Sequence, residues 1–221
     1  LSPACADESY NFYNIEMEPT GTFKGNLSQK HTGYAAIKTR KRKIAALDEE
    51  EYIEDIESNN TGLDIITSNF EGFDDNYGPV KVNYEVEITD RATFMGDMIT
   101  FCPLLYEKME ENPFKKKERK FPVDFNYPIN HTYNYLIEIP EGYRVESLPE
   151  SQIINNKDKS ASLKYAIAVM NNKINLLVNF QILKHMFIES EYQSLRGFFD
   201  EMIAKESEQI ILKKEESLTR K

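Results

Sequence analysis

Two cysteines, three histidines and a surplus of carboxylates are the groups in this 221-residue chain that could do chemistry. Cys5 and Cys102 are too few for a disulfide framework or a zinc cluster. They could pair with each other in an oxidising compartment, but spacing along the chain does not place two Cα atoms in bonding range. The plainer reading is a small buried residue at Cys102 and a loose thiol at Cys5. His31, His131 and His185 lie far apart, and none has a second ligand at helical spacing, so no metal site is expected. By type alone, Cys102 or Cys5 with His131 and Asp124 would supply a nucleophile, a base and an orienting acid. No local spacing assembles that set. Cys102 sits in Ile99-Thr-Phe-Cys-Pro-Leu-Leu105, surroundings that bury a thiol and raise its pKa. The chain has no Gly-rich phosphate loop, no Gly-x-Ser-x-Gly elbow and no His-Glu-x-x-His. The expectation is therefore no catalytic, cofactor-binding or metal-ligating residue, and a chain that is not itself an enzyme.

Charge and composition narrow the partners. Thirty-seven acids against twenty-seven bases leave a net charge of −10, which argues against nucleic acid and lends nothing to an anionic-membrane surface. The basic run Lys38-Thr-Arg-Lys-Arg-Lys43 is followed almost at once by Asp48-Glu-Glu-Glu51, and reads as a solvated strand end. No apolar run approaches the roughly 20 residues that span a bilayer. The opening Leu-Ser-Pro-Ala-Cys-Ala lacks a basic start and an apolar stretch, so no leader is visible. Thirteen Tyr and thirteen Phe without a Trp favour strands. Tyr127, Tyr133, Tyr135 and Tyr143 cluster in the second half; they are either a binding platform or the packing of strand faces, and the second is the plainer reading.

The elements that must position these groups are mostly strands. Thr20–Leu27 alternates and precedes Gly33–Ile37, with Ser28–Thr32 as a hairpin connection. Asp48 and Glu51 have the spacing of a capping box for a short helix whose apolar face is Tyr52, Ile53 and Ile56. Val80-Lys-Val-Asn-Tyr-Glu-Val-Glu-Ile88 alternates without fault, with residues 63–70 and 94–101 as expected neighbours. Tyr133–Ile139 is a strand stopped by the Pro140-Glu-Gly-Tyr143 turn. Leu163–Val169 and Ile174–Ile182 make a hairpin about Asn171-Asn172. Ser190 with Gln193 caps a closing helix whose apolar face is Tyr192, Leu195, Phe198, Phe199, Met202 and Ile203. Gln209–Lys214 is a final strand or a helix extension. Glu110–Lys120 is polar, mixed in charge and holds a proline, as linkers do. The fold class expected is mainly β: two tandem antiparallel sandwich-like units, residues 1–111 with one short helix and residues 112–221 with the C-terminal helix packed on them.

Several motifs in the second half occur together: Asn112-Pro-Phe-Lys115, Arg119-Lys-Phe-Pro-Val-Asp-Phe-Asn-Tyr-Pro128, Ile139-Pro-Glu-Gly-Tyr143, Val145-Glu-Ser-Leu-Pro149 and Glu191-Tyr-Gln-Ser-Leu-Arg-Gly-Phe-Phe199. Over roughly residues 112–214 the chain resembles the DUF3858 domain, the C-terminal part of DUF3857-containing, transglutaminase-like proteins of Bacteroidetes. Residues 17–104 resemble the less distinctive region before it. The resemblance implies a papain-like core upstream of everything matched, so none of its triad residues is carried over. It also implies a periplasmic or cell-surface setting and a chain that is a C-terminal fragment, in keeping with a start at Leu1 rather than Met. The function expected is a non-catalytic accessory region that supports or positions the upstream domains of the same polypeptide. The alternative is a cell-surface module that binds protein or glycan.

Overall fold

The structure is a computed structural model that describes residues 5–215; the Leu1–Ala4 part of the start read for a leader lies outside it. The first half runs β1 (Asp7–Met17), β2 (Phe23–Thr32), α1 (Gly33–Ala45), α2 (Glu49–Ser58), β3 (Leu63–Glu71), β4 (Val80–Ile88), β5 (Ala92–Met95) and β6 (Met98–Phe101). The second runs β7 (Val123–Asp124), β8 (Ile129–Glu138), β9 (Tyr143–Ser147), β10 (Gln152–Asn155), β11 (Ala161–Met170), β12 (Lys173–Ile182), β13 (Met186–Phe187), α3 (Tyr192–Glu206) and β14 (Ile210–Lys214).

The chain is mainly β, with a C-terminal helix as expected. Its centre is an eight-stranded sheet in the order β10-β11-β12-β8-β1-β2-β4-β3. Every pairing in it is antiparallel except one: β1 runs parallel to β8 over ten residue pairs, from Asp7 beside Ile129 to Glu16 beside Glu138. Parallel neighbours need a long crossover, and the hundred-odd residues between these strands supply it. Hydrogen bonding therefore crosses the 111/112 division, and it crosses again where β14 inserts between β6 and β9 in a four-stranded sheet. The Glu110–Lys120 stretch reads as a linker because its side chains are solvated, yet its backbone is tied to α3. Tyr192 Oη donates to the Lys116 carbonyl at 2.7 Å, Arg196 Nε to the Phe114 carbonyl at 3.1 Å, and Asn112 Nδ2 to Asp200 Oδ1 at 2.7 Å. Phe114 is buried against Phe125, Tyr192 and Phe199.

Local pattern explains most elements. In β4 burial alternates residue by residue, as the sequence spacing requires. Asn171 and Asn172 both take positive φ, the signature of a type I′ turn between β11 and β12. Asp48 accepts from the Glu51 N–H at 3.0 Å, while the Glu51 carboxylate reaches back to the N–H of Leu47 rather than of Asp48. Gln209–Lys214 resolves as strand.

Five local expectations are corrected. Gly33–Ile37 is not a strand but the start of α1, and the basic run Lys38–Lys43 is not a strand end but the body of the same helix, so the first half carries two helices. The buried positions of α1 are Ala35, Ala36 and Arg40, so its helical period is written in small and charged residues rather than large apolar ones. Arg40 is buried because its guanidinium donates to the carbonyls of Gly72 and Gly78, at 2.7 and 2.8 Å. Ser28–Thr32 is the end of β2 and not a hairpin connection; β2 pairs instead with β1. Residues 94–101 do not flank β4, whose second neighbour is β2; alternation identifies a strand but leaves its partner open. Ser190 is not the cap of α3: a 3₁₀ turn, Glu189–Glu191, precedes it, and the Ile188 N–H donates to the Glu191 carboxylate at 2.9 Å.

All three helices cover one face of the large sheet: α1 lies on β1, β2 and β4, α2 on β3, and α3 on β10 and β11. The four-stranded sheet closes the same side, with Phe101 edge-on to Phe23 at 5.2 Å, and its Ile99, Phe101, Ile210 and Leu212 belong to the same core. Between α1 and α3 this inner face is not fully sealed.

Candidate ligand cleft on the inner face of the sheet

The inward side chains of β1 are, in order, Asp7, Ser9, Asn11, Tyr13, Ile15 and Met17, so one strand face passes from polar to apolar along its length. Register fixes the neighbours. Ser9 stands between His31 of β2 and His131 of β8, and Asn11 between Gln29 and Tyr133. Tyr13 lies between Leu27 and Tyr135, with the Tyr13 and Tyr135 rings stacked at 4.3 Å. Two histidines separated by a hundred residues thus meet across a single strand.

Asp7 is the hub of the polar end. It is 2% exposed; Oδ1 lies 3.1 Å from His131 Nε2 and Oδ2 lies 2.5 Å from Lys38 Nζ. Burial alone would raise its pKa, but hydrogen bonds and charge from His131 and Lys38 outweigh burial and hold the carboxyl below its ordinary value. His31 is pushed down to about 4, by burial first and by the neighbouring His131 second, so it is neutral at pH 7. Lys38 also lies 5.1 Å from the ring of Tyr127, which stacks on Tyr34 at 4.0 Å.

Glu107, on the segment after β6, reaches the same cleft. Tyr13 Oη donates to its Oε1 at 2.6 Å, and burial raises its pKa against that bond. Glu206, at the end of α3, is raised to about 7 by burial, opposed by the Met109 N–H that donates to Oε2 at 3.0 Å. Glu107, His131 and Tyr133 line both a polar compartment of about 240 Å³ beneath α1 and a compartment of about 360 Å³ beneath α3. The second is walled by Met109, Phe125, Ile129, Phe180, Phe199 and Met202, and holds Glu206 as well.

The residues weighed in the sequence separate as follows. His31 and His131 converge; His185 lies apart, and its carbonyl accepts from the Phe125 N–H at 2.7 Å. Cys102 does not line either compartment. Its Sγ donates to the Glu206 carbonyl at 3.0 Å, and burial raises its pKa. Cys5 is an exposed free thiol, and Asp124 is exposed and accepts from the Asn126 N–H. The Cys–His–Asp combination is therefore not assembled. The tyrosines make no common platform: Tyr135 is buried, Tyr133 lines the cleft, and Tyr127 stacks on α1. Sequence reasoning missed Asp7, Glu107 and Glu206. The alternation Asp7-x-Ser-x-Asn-x-Tyr-x-Ile-x-Met17 was the available signal for the first.

Among the described residues, no helix covers the opposite face of the sheet. In its centre Phe12, Leu136, Ala166 and Leu177 are only half buried, Ala168 is exposed and Tyr10 is 45% exposed. They line an open groove of about 660 Å³, edged by Asn134, whose Nδ2 donates to Tyr10 Oη at 2.8 Å, and by Ser151 and Asn175.

A mixed sheet with helices on one side and a second sheet closing the core defines a mainly β domain with a cleft on its inner face. Residues 97–212, just over half of the chain, match the family described as "Domain of Unknown Function with solved-structure structure (DUF3858)", and the chain belongs to that family. The match begins at residue 97 rather than near 112, and so takes in β6, the partner of β14. A crystal structure from Parabacteroides distasonis, described as "a putative protease", is similar at 16% identity with a TM-score of 0.39, over 44% of this chain. This chain spans about a fifth (19%) of the length of that protein. No curated protein matches the chain.

Proposed function

We propose that this chain is a non-catalytic accessory region that supports or positions a transglutaminase-like, papain-like domain of the same polypeptide, in the periplasm or at the cell surface. The observation that carries the reading is the open face of the large sheet. A central strip of half-buried Phe12, Leu136 and Leu177 beside exposed Tyr10 is what a sheet shows where another folded surface belongs. The family match and the motif resemblance support the accessory role by association. The chemistry is compatible with it: among the described residues His131 pairs with Asp7 beside Ser9, and the Ser9 hydroxyl makes no hydrogen bond to either histidine. A second reading has one observation in its favour. Tyr10 with Asn134, Asn175 and Ser151 is an aromatic surface edged by amides and a hydroxyl, which suits a glycan.

The test is binding between this chain and the polypeptide encoded upstream of it, followed by calorimetry. Binding is expected, and Leu136→Asp, which puts a charge in the centre of the groove, should weaken it at least tenfold while leaving the fold intact. Equal binding by the variant would remove the outer face from the reading. Binding to surface oligosaccharides with none to the upstream polypeptide would favour the second reading.

A further inference from the structure

The compartment beneath α3 joins two features that rarely coexist without a ligand. Its walls are apolar and aromatic, yet two carboxyl groups face into it with no cation of their own. Glu206 is 7% exposed; the Met109 N–H occupies one oxygen, and the other has no partner among the described residues. Glu107 has Tyr13 on one oxygen and no ion pair among the described residues. The cations nearest in sequence or space are already committed. Lys38 and His131 both attend Asp7, Lys108, next to Glu107 in the chain, pairs with Glu110 at 3.2 Å, and Lys205, next to Glu206, turns away to Glu208 at 2.7 Å over the ring of Tyr165.

We propose that this compartment binds a primary amine carried on an apolar body, an alkylamine or arylalkylamine, with the ammonium on the free oxygen of Glu206 and the tail against Phe125, Phe180, Phe199 and the two methionines. This goes beyond the accessory role and does not depend on it. An anion would meet two acids in a poorly hydrated pocket. A sugar would leave its hydroxyls against phenyl rings and thioethers. A neutral hydrocarbon would fill the space and leave both carboxyls uncompensated. A primary ammonium presents three donors and a full charge, and can satisfy the free carboxyl oxygens. The surrounding aromatic faces favour a cation further. About 360 Å³ admits a six-carbon chain or a phenylethyl group. The titratable groups facing Glu206 across the compartment are Glu107, His131 and Tyr133.

The probes are 2-phenylethylamine and hexylamine, with 2-phenylethanol and hexanol as neutral controls, titrated calorimetrically into the full chain at pH 8, where Glu206 is largely ionised. Both amines are expected to bind at least tenfold more tightly than the matching alcohols. Glu206→Gln should remove most of that difference, and Phe199→Leu should weaken amine and alcohol alike. Alcohols that bind as well as amines, a Glu206→Gln variant with unchanged amine affinity, or absence of binding by all four compounds would each overturn the proposal. Circular dichroism of the Glu206→Gln chain separates lost affinity from lost fold.

Discussion

The two ends of the inner face of β1 are built from the same backbone and obey different rules. At one end Ile15 and Met17 are packed between Ile137, Gly25 and Phe23 and sealed by the four-stranded sheet. At the other, Asp7, Ser9 and Asn11 face two histidines, a glutamine and a lysine in a cleft that α1 and α3 leave partly open. In the sealed end stability comes from apolar area and close packing, which are local and insensitive to pH. In the open end each polar group is tolerable only through its partner, so stability there is conditional on protonation. A strand can thus spend half its inward positions on a core and half on a polar cleft, with Tyr13 as the divider. Its ring stacks in the core and its hydroxyl serves the cleft.

The largest expected effect breaks the sealed end. Ile137 is fully buried, so Ile137→Ala should cost about 4 kcal/mol in urea unfolding, with no change in pH dependence. A loss under 1 kcal/mol would mean that this end can collapse around the cavity and is not close-packed.

The next effect sharpens the contrast through Glu206. Its folded pKa of about 7 stands above the ordinary 4.5, so the folded state holds the proton more tightly. Its contribution is complete below about pH 4.5 and is lost as pH rises through 7, a swing of about 3 kcal/mol by linkage. Urea midpoints taken from pH 4.5 to 8.5 should fall for the wild type and flatten for Glu206→Gln. Parallel curves for the two proteins would show the carboxyl to be solvated.

The smallest of the three concerns Asp7, and its sign is opposite. Its pKa is depressed, so its contribution is present above the ordinary 3.8 and disappears as pH falls through the folded value. Asp7→Asn should cost about 2 kcal/mol at pH 7, in the range of a hydrogen bond to a charged group, and progressively less as the carboxyl protonates. A cost that stays the same from pH 7 down into the acid range would refute the pairing with His131 and Lys38.

What the sequence disclosed follows the range of the interaction. The β4 alternation, the Asn171-Asn172 turn, the Asp48 cap and the apolar face of α3 are local patterns, and each is found where its residues place it. The exceptions are informative. The helix α1 hides its period behind Ala35, Ala36 and Arg40, whose burial depends on carbonyls thirty and more residues away. The cleft was invisible because its histidines are brought together by strand register, which no spacing within either strand encodes. Glu206 lay in plain view at the end of α3, but its carboxyl matters only because the 107–114 segment folds over it.

The parallel ladder between β1 and β8 also sets an order of events as the chain is made. The hairpin of β1 and β2 can close as soon as residue 32 is free, but the other edge of β1 stays unpaired until residue 138 has emerged. Through that interval Tyr13 and Ile15 sit on an open strand edge, the kind of surface that recruits stray chains. Closing a loop of that length makes this central pairing slow, so the sheet can grow as two separate halves that meet at its middle.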